Sequence, residues 1–77
     1  MIIYSTRNQD SWSWYTVSKG VKYVTVKFST CIQGHRDFVA KYDIEDLQAI
    51  LENLKTGVAP LETVIKPLRI VYSAPVQ

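Results

Sequence analysis

Cysteine is almost missing from this chain: Cys31 stands alone among 77 residues. No disulfide can close within one molecule, and no cysteine-based zinc site can be assembled from it. A reducing, cytoplasmic setting is the expectation that follows. At the end of an alternating strand, Cys31 is expected to be a small packed residue rather than a nucleophile. Glycine is sparse too, and Gly20, Gly34 and Gly57 are widely separated. That excludes a phosphate-cradling loop and leaves the three as turn residues. His35 is the single histidine, so only one side chain has an unperturbed pKa suited to general-base work near neutrality. It lies between Gly34 and Arg36 in a turn, where a solvated loop residue is the expectation. Neither H-E-x-x-H nor G-x-S-x-G occurs, so no enzyme and no cofactor is expected. No apolar run reaches the length of a bilayer span, and the apolar start Met1–Tyr4 is too short for a secretory signal. Charge of one sign does not dominate either: the net charge is +2 and the isoelectric point about 8.8. Such a bias permits nucleic acid or an acidic protein as partner and demands neither.

What is present is a single amphipathic helix within Asp43–Gly57. Ile44, Leu47, Ile50, Leu51 and Leu54 recur at spacings of three and four and form one stripe, with Glu45, Glu52 and Lys55 off it. Asp43 is placed to cap the N-terminus, and Glu45 and Asp46 add negative charge where the helix dipole is positive. Those roles account for the three carboxylates, so no metal site is expected there. Lys55 sits at the negative end, and Gly57 supplies a left-handed stop. Burying five aliphatic side chains at ~1.5–3 kcal/mol each outweighs intrinsic helix propensity, so the helix requires an apolar cover. Nine aromatic residues, all outside the helix, indicate that a sheet is that cover. The length allows one domain burying roughly 60–65% of its unfolded surface.

Strands are expected at Met1–Ser5, Trp12–Val17, Val21–Ile32, Arg36–Tyr42 and Leu68–Ser73, with Pro75 ending the last. Thr6–Asp10 reads as a polar loop, Gln33-Gly34-His35 as a turn, and Thr63–Ile65 as a short extended piece. The fold class is therefore α+β: an antiparallel sheet of four to five strands with one helix packed on one face, in the order β-β-β-β-α-β. If Ser18-Lys19-Gly20 is the hairpin loop, with Gly20 left-handed, then Val17 pairs with Val21, Tyr15 with Tyr23 and Ser13 with Thr25. Trp12 and Trp14 would then be buried beneath the helix, and Ser13, Tyr15, Tyr23, Thr25, Lys27, Ser29 and Lys41 would form an open polar face.

Tyr15, Tyr23, Lys27 and Lys41, with Lys19 in the adjoining loop, are the candidate binding residues. Rings that stack on bases beside cations that meet phosphates are the means by which open sheets hold single strands. A three-stranded meander followed by a helix is similar, in architecture, to the single-strand-binding sheets of the Pur type. A chain this short and rich in Tyr and Trp also resembles the small proteins, many of them phage-encoded, that inhibit or adapt a larger machine. The expected function is non-catalytic binding of a protein partner as a regulator or inhibitor. Single-stranded nucleic-acid binding on the open face is the alternative, and a membrane is not an expected partner.

Overall fold

The computed structural model describes residues 1–7, 12–57 and 59–75. Five strands form one antiparallel meander in chain order: β1 (Ile2–Ser5), β2 (Ser13–Lys19), β3 (Tyr23–Thr30), β4 (Arg36–Asp43) and β5 (Arg69–Pro75). One turn of 3-10 helix (Ile44–Asp46), helix α1 (Leu47–Thr56) and the short helix α2 (Leu61–Val64) lie between β4 and β5. The fold is α+β with the expected element order. Of the expected Thr6–Asp10 loop, residues 8–10 lie outside the described part of the chain.

The helix begins and ends as its residue types dictate. Asp43 leaves β4 in an extended conformation and its carboxylate accepts a bond from the Glu45 N–H at 3.1 Å, satisfying a donor that has no partner inside the helix. Gly57 takes φ 63° and donates its N–H to the Asn53 carbonyl at 2.9 Å, closing the C-terminus. Ile50 and Leu54 are buried, while Ile44, Leu47 and Leu51 pack at the margin of the same core. Their partners on the sheet are Val17, Val24, Val26, Phe38, Ala40 and Tyr42, all buried.

Of the expected extended piece Thr63–Ile65, Thr63 and Val64 are helical and Ile65 alone is extended. Pro60 at φ −58° starts a helical turn in which the Ile65 N–H donates to the Leu61 carbonyl at 3.0 Å, and the Thr63 hydroxyl donates to the Pro60 carbonyl at 2.7 Å. The turn drives Leu61 into the core, which an extended segment would have shared between two faces. The β2–β3 hairpin also departs from the sequence expectation. Tyr15 pairs with Phe28, Val17 with Val26 and Lys19 with Val24, so β2 runs two residues past Val17 and the turn lies at residues 20–22. The shift from the expected pairing is an odd number of residues, and it exchanges every β2 side chain between the two faces. Gly20 is not left-handed. It is needed for proximity: its N–H donates to the Tyr23 carbonyl at 2.9 Å, and a Cβ there would lie 3.1 Å from that oxygen.

The chosen register stacks aromatic rings. Tyr15, Phe28, Phe38 and Tyr72 are cross-strand neighbours on four successive strands, with centroids 4.9, 5.2 and 5.6 Å apart along the row. Each such contact contributes ~0.5–1.5 kcal/mol beyond the area it buries. The expected register would have split this row between the faces. At the far end of β3 the strand stops at Thr30, whose N–H turns to the Asp37 carboxylate at 2.9 Å. Cys31 therefore lies beyond the strand and is exposed, a correction to the packed position expected for it; its thiol donates to the Trp12 carbonyl at 3.3 Å. Gln33-Gly34-His35 does form a turn, with Gly34 at φ 86°.

Candidate binding face

The helical segments cover one face of the sheet and leave the other open, and the pairing of the strands gives its surface as rows. One row crosses all five strands through Ser5, Thr16, Lys27, Val39 and Val71. The next, two residues away and hence ~7 Å along the strands, runs through Ile2, Ser18, Thr25, Lys41 and Arg69. Trp14 and Ser29 flank the rows at one end, Tyr23 and Asp43 at the other. Within this pattern Val39 is 43% exposed, Val71 53%, Tyr23 42% and Ile2 66%. A sheet that hid its apolar residues on one side only would not spend two neighbouring valines on solvent.

The charged groups of the face are nearly all cations. The Lys41 ammonium lies 3.9 Å from the centroid of the Tyr23 ring, and the Arg7 guanidinium 4.6 Å from that of Trp14. Both exposed-face rings are thus capped by a positive charge, an attraction of ~0.5–1 kcal/mol at an exposed site. Lys41 and Arg69 stand directly opposite each other, a like-charge pairing that works against the sheet. The carboxylates of β4 are committed elsewhere: Asp43 caps the helix and Asp37 holds the Thr30 N–H. Among the described residues, Lys27, Lys41 and Arg69 have no ion-pair partner.

Of the candidates chosen from sequence, Tyr23, Lys27 and Lys41 share this face. Tyr15 does not: the register turns it under the helical segments, where its hydroxyl donates to Glu62 Oε1 at 3.0 Å. Burial, followed by the charge and hydrogen bond of Glu62, pushes its phenol well above the ordinary value. Lys19 is exposed at the end of β2, paired with Val24 and so on the opposite parity from Lys27. Trp14 takes the place expected for Tyr15. Its neighbour Trp12 is 65% exposed, so neither tryptophan is the helix-covered residue that the sequence suggested. Arg7, Trp14, Val39, Arg69 and Val71 are the members that sequence reasoning passed over. Val39 could have been found by counting back two positions from Lys41; Trp14 could not without the true register.

Tyr42 supplies a contrast from the covered face. It is fully buried, and its hydroxyl has no hydrogen-bond partner among the described residues. Burial foremost, then the nearby carboxylates Glu62 and Asp46, push its pKa up to about 12.

No protein-family model, curated protein or solved structure matches this chain. Among the described residues no helix is long and apolar enough to cross a membrane.

Proposed function

We propose that this chain is a small non-catalytic binding protein that docks a protein partner on the open face of its sheet, acting as a regulator or inhibitor of that partner. The observation that supports this reading is the exposed Val39–Val71 pair on β4 and the edge strand β5, bordered by Lys27, Lys41 and Arg69 on the open face. Exposed apolar surface bordered by charge is a usual composition of a protein docking site. Trp14 and Tyr23 at its two ends are the residue types that anchor such contacts.

Single-stranded nucleic acid is the second reading, favoured by the tyrosine and tryptophan rings with their adjacent cations. It is weakened by Tyr15, which was to be one of two stacking platforms and instead faces the helical layer. The exposed aliphatic pair Val39–Val71 also offers nothing to a phosphate.

The test is capture from nuclease-treated native lysate by wild type, by Val39→Asp and Val71→Asp, and by Glu52→Ala on the exposed side of α1. The protein-docking reading expects a nuclease-resistant protein retained by wild type and Glu52→Ala and lost by both valine variants. Capture that disappears with nuclease, together with oligo-dT binding that falls steeply with salt, would replace it with the second reading. A protein retained equally by all the variants would remove the open face from the function.

A further inference from the structure

The charge of this molecule is divided between its two layers. Residues 44–66, which make up the helical layer, carry four carboxylates (Glu45, Asp46, Glu52, Glu62) against two lysines (Lys55, Lys66). The rest of the chain, which supplies the sheet, carries seven cations against Asp10, Asp37 and Asp43 in sequence. A formal net charge of only +2 thus conceals a positive sheet and a negative cover. On the open face Lys41 and Arg69 stand opposite each other with Lys27 diagonal to Lys41, while the carboxylates of Asp37 and Asp43 accept bonds from backbone N–H groups. Like charges in register oppose folding of the free domain, and an anion placed over them would relieve that repulsion.

We propose that the occupant of the open face is an acidic protein segment, whose carboxylates meet Lys41, Arg69 and Lys27 and whose aliphatic side chains cover Val39 and Val71. The inference rests on the protein-docking reading and adds the chemistry of the partner. Along both β4 and β5 a valine and a cation follow each other two residues apart, with like opposite like across the pair, so the matching surface must set aliphatic groups and carboxylates ~7 Å apart along an extended segment. Asp or Glu interleaved with Leu, Ile or Val does this. A sugar-phosphate strand supplies the anions without the aliphatic groups. A second copy of this chain is a poorer match, since Lys55 and Lys66 lie within its acidic layer.

The experiment is to pan a random peptide library against immobilised wild-type domain in near-physiological salt and to measure a recovered peptide, resynthesised, against the variants. The expected peptides are rich in Asp or Glu spaced by aliphatic residues, and Arg69→Glu or Lys41→Glu should weaken them by about tenfold or more. A version of the peptide with Lys in place of its carboxylates should prefer the charge-reversed domain. Because Arg69→Glu sets opposite charges across from each other, its melting temperature should equal or exceed that of wild type, which separates lost binding from lost folding. Peptides that are basic or uncharged, yet still lost on Val39→Asp, would overturn the acidic partner while leaving protein docking in place. Peptides indifferent to Val39→Asp, Arg69→Glu and Lys41→Glu would overturn both. Tight, salt-sensitive binding of oligo-dT, or wild-type self-association in sedimentation that Arg69→Glu disperses, would assign the face to a nucleic-acid strand or to a second copy.

Discussion

The two faces of the sheet are drawn from the same strands, one residue to each side in turn, and they solve different problems. On the covered face Val17, Val24, Val26, Ala40 and Tyr42 are fully buried and the row Tyr15–Phe28–Phe38–Tyr72 packs ring to ring. On the open face Val39 and Val71 stay in contact with solvent, and cations rest on the rings of Trp14 and Tyr23. The first face holds the molecule together; the second carries features that stability alone does not call for, namely exposed aliphatics and a like-charge pair. Where alternation is this regular, a departure from the stabilising choice is informative about function.

The contrast can be tested by substitution, and the largest effect belongs to the covered face. Ile50→Ala removes a fully buried side chain from α1 and should cost ~2–5 kcal/mol, read as a fall in the urea midpoint. A loss no greater than that of Glu52→Ala would mean that the helix does not pack on the sheet as described.

Tyr42 tests what burial does to a polar atom. Its pKa is raised from the ordinary tyrosine value to about 12, so the folded state favours the neutral phenol. The associated stability is fully present below pH 10 and is lost as pH rises from there towards 12. Because the hydroxyl is buried with no partner among the described residues, Tyr42→Phe should be neutral or stabilising by up to ~1 kcal/mol at pH 7. It should also flatten the alkaline decline seen in urea melts between pH 9 and pH 11. Tyr15→Phe, which deletes the bond to Glu62, should instead cost ~1 kcal/mol at neutral pH. Equal effects of the two changes would erase the distinction between a satisfied and an unsatisfied phenol.

On the open face the expected stability changes are small. Val39→Ser and Val71→Ser should each shift stability by no more than ~0.5 kcal/mol, because the side chains they shorten already touch water. Such variants keep the fold while altering the surface, and a loss above ~2 kcal/mol would place these valines in a core. The gentlest test needs no substitution: with Trp12 65% exposed and Trp14 outside the helix-covered face, native fluorescence should be red-shifted and iodide should quench it readily. Blue-shifted, protected emission would restore the register in which both tryptophans are buried.

Much of the architecture was legible in the chain. The helix announced itself through the Ile44–Leu54 stripe, the Asp43 cap and the Gly57 stop, because each depends on interactions within a few residues. The α+β class followed from aromatic residues confined to the flanking strands. Tyr23, Lys27 and Lys41 were correctly grouped because they lie on β3 and β4, where alternation is unbroken. The β2 residues were not, since a hairpin's register hangs on where its turn begins, and Ser18-Lys19-Gly20 has the composition of a loop whether or not the strand stops there. Thr63–Ile65 misled for a related reason: three β-branched residues in a row suit a strand, but Pro60 and the burial of Leu61 impose a helical turn as far as Val64.

The sequence by itself determined the five strands, the main helix with its cap and stop, and the presence of a two-sided sheet, because those follow from local periodicity and capping. Tertiary structure alone decided which β2 residues face the core. Pairing Tyr15 and Val17 with Phe28 and Val26 lets four rings stack across the sheet, and that gain exists only once all the strands are in place. The same decision moved Trp14 to the open face and Tyr15 off it. Likewise the opposition of Lys41 and Arg69, residues 28 positions apart in the chain, arises from the packing of β5 against β4, a long-range pairing that no local pattern specifies.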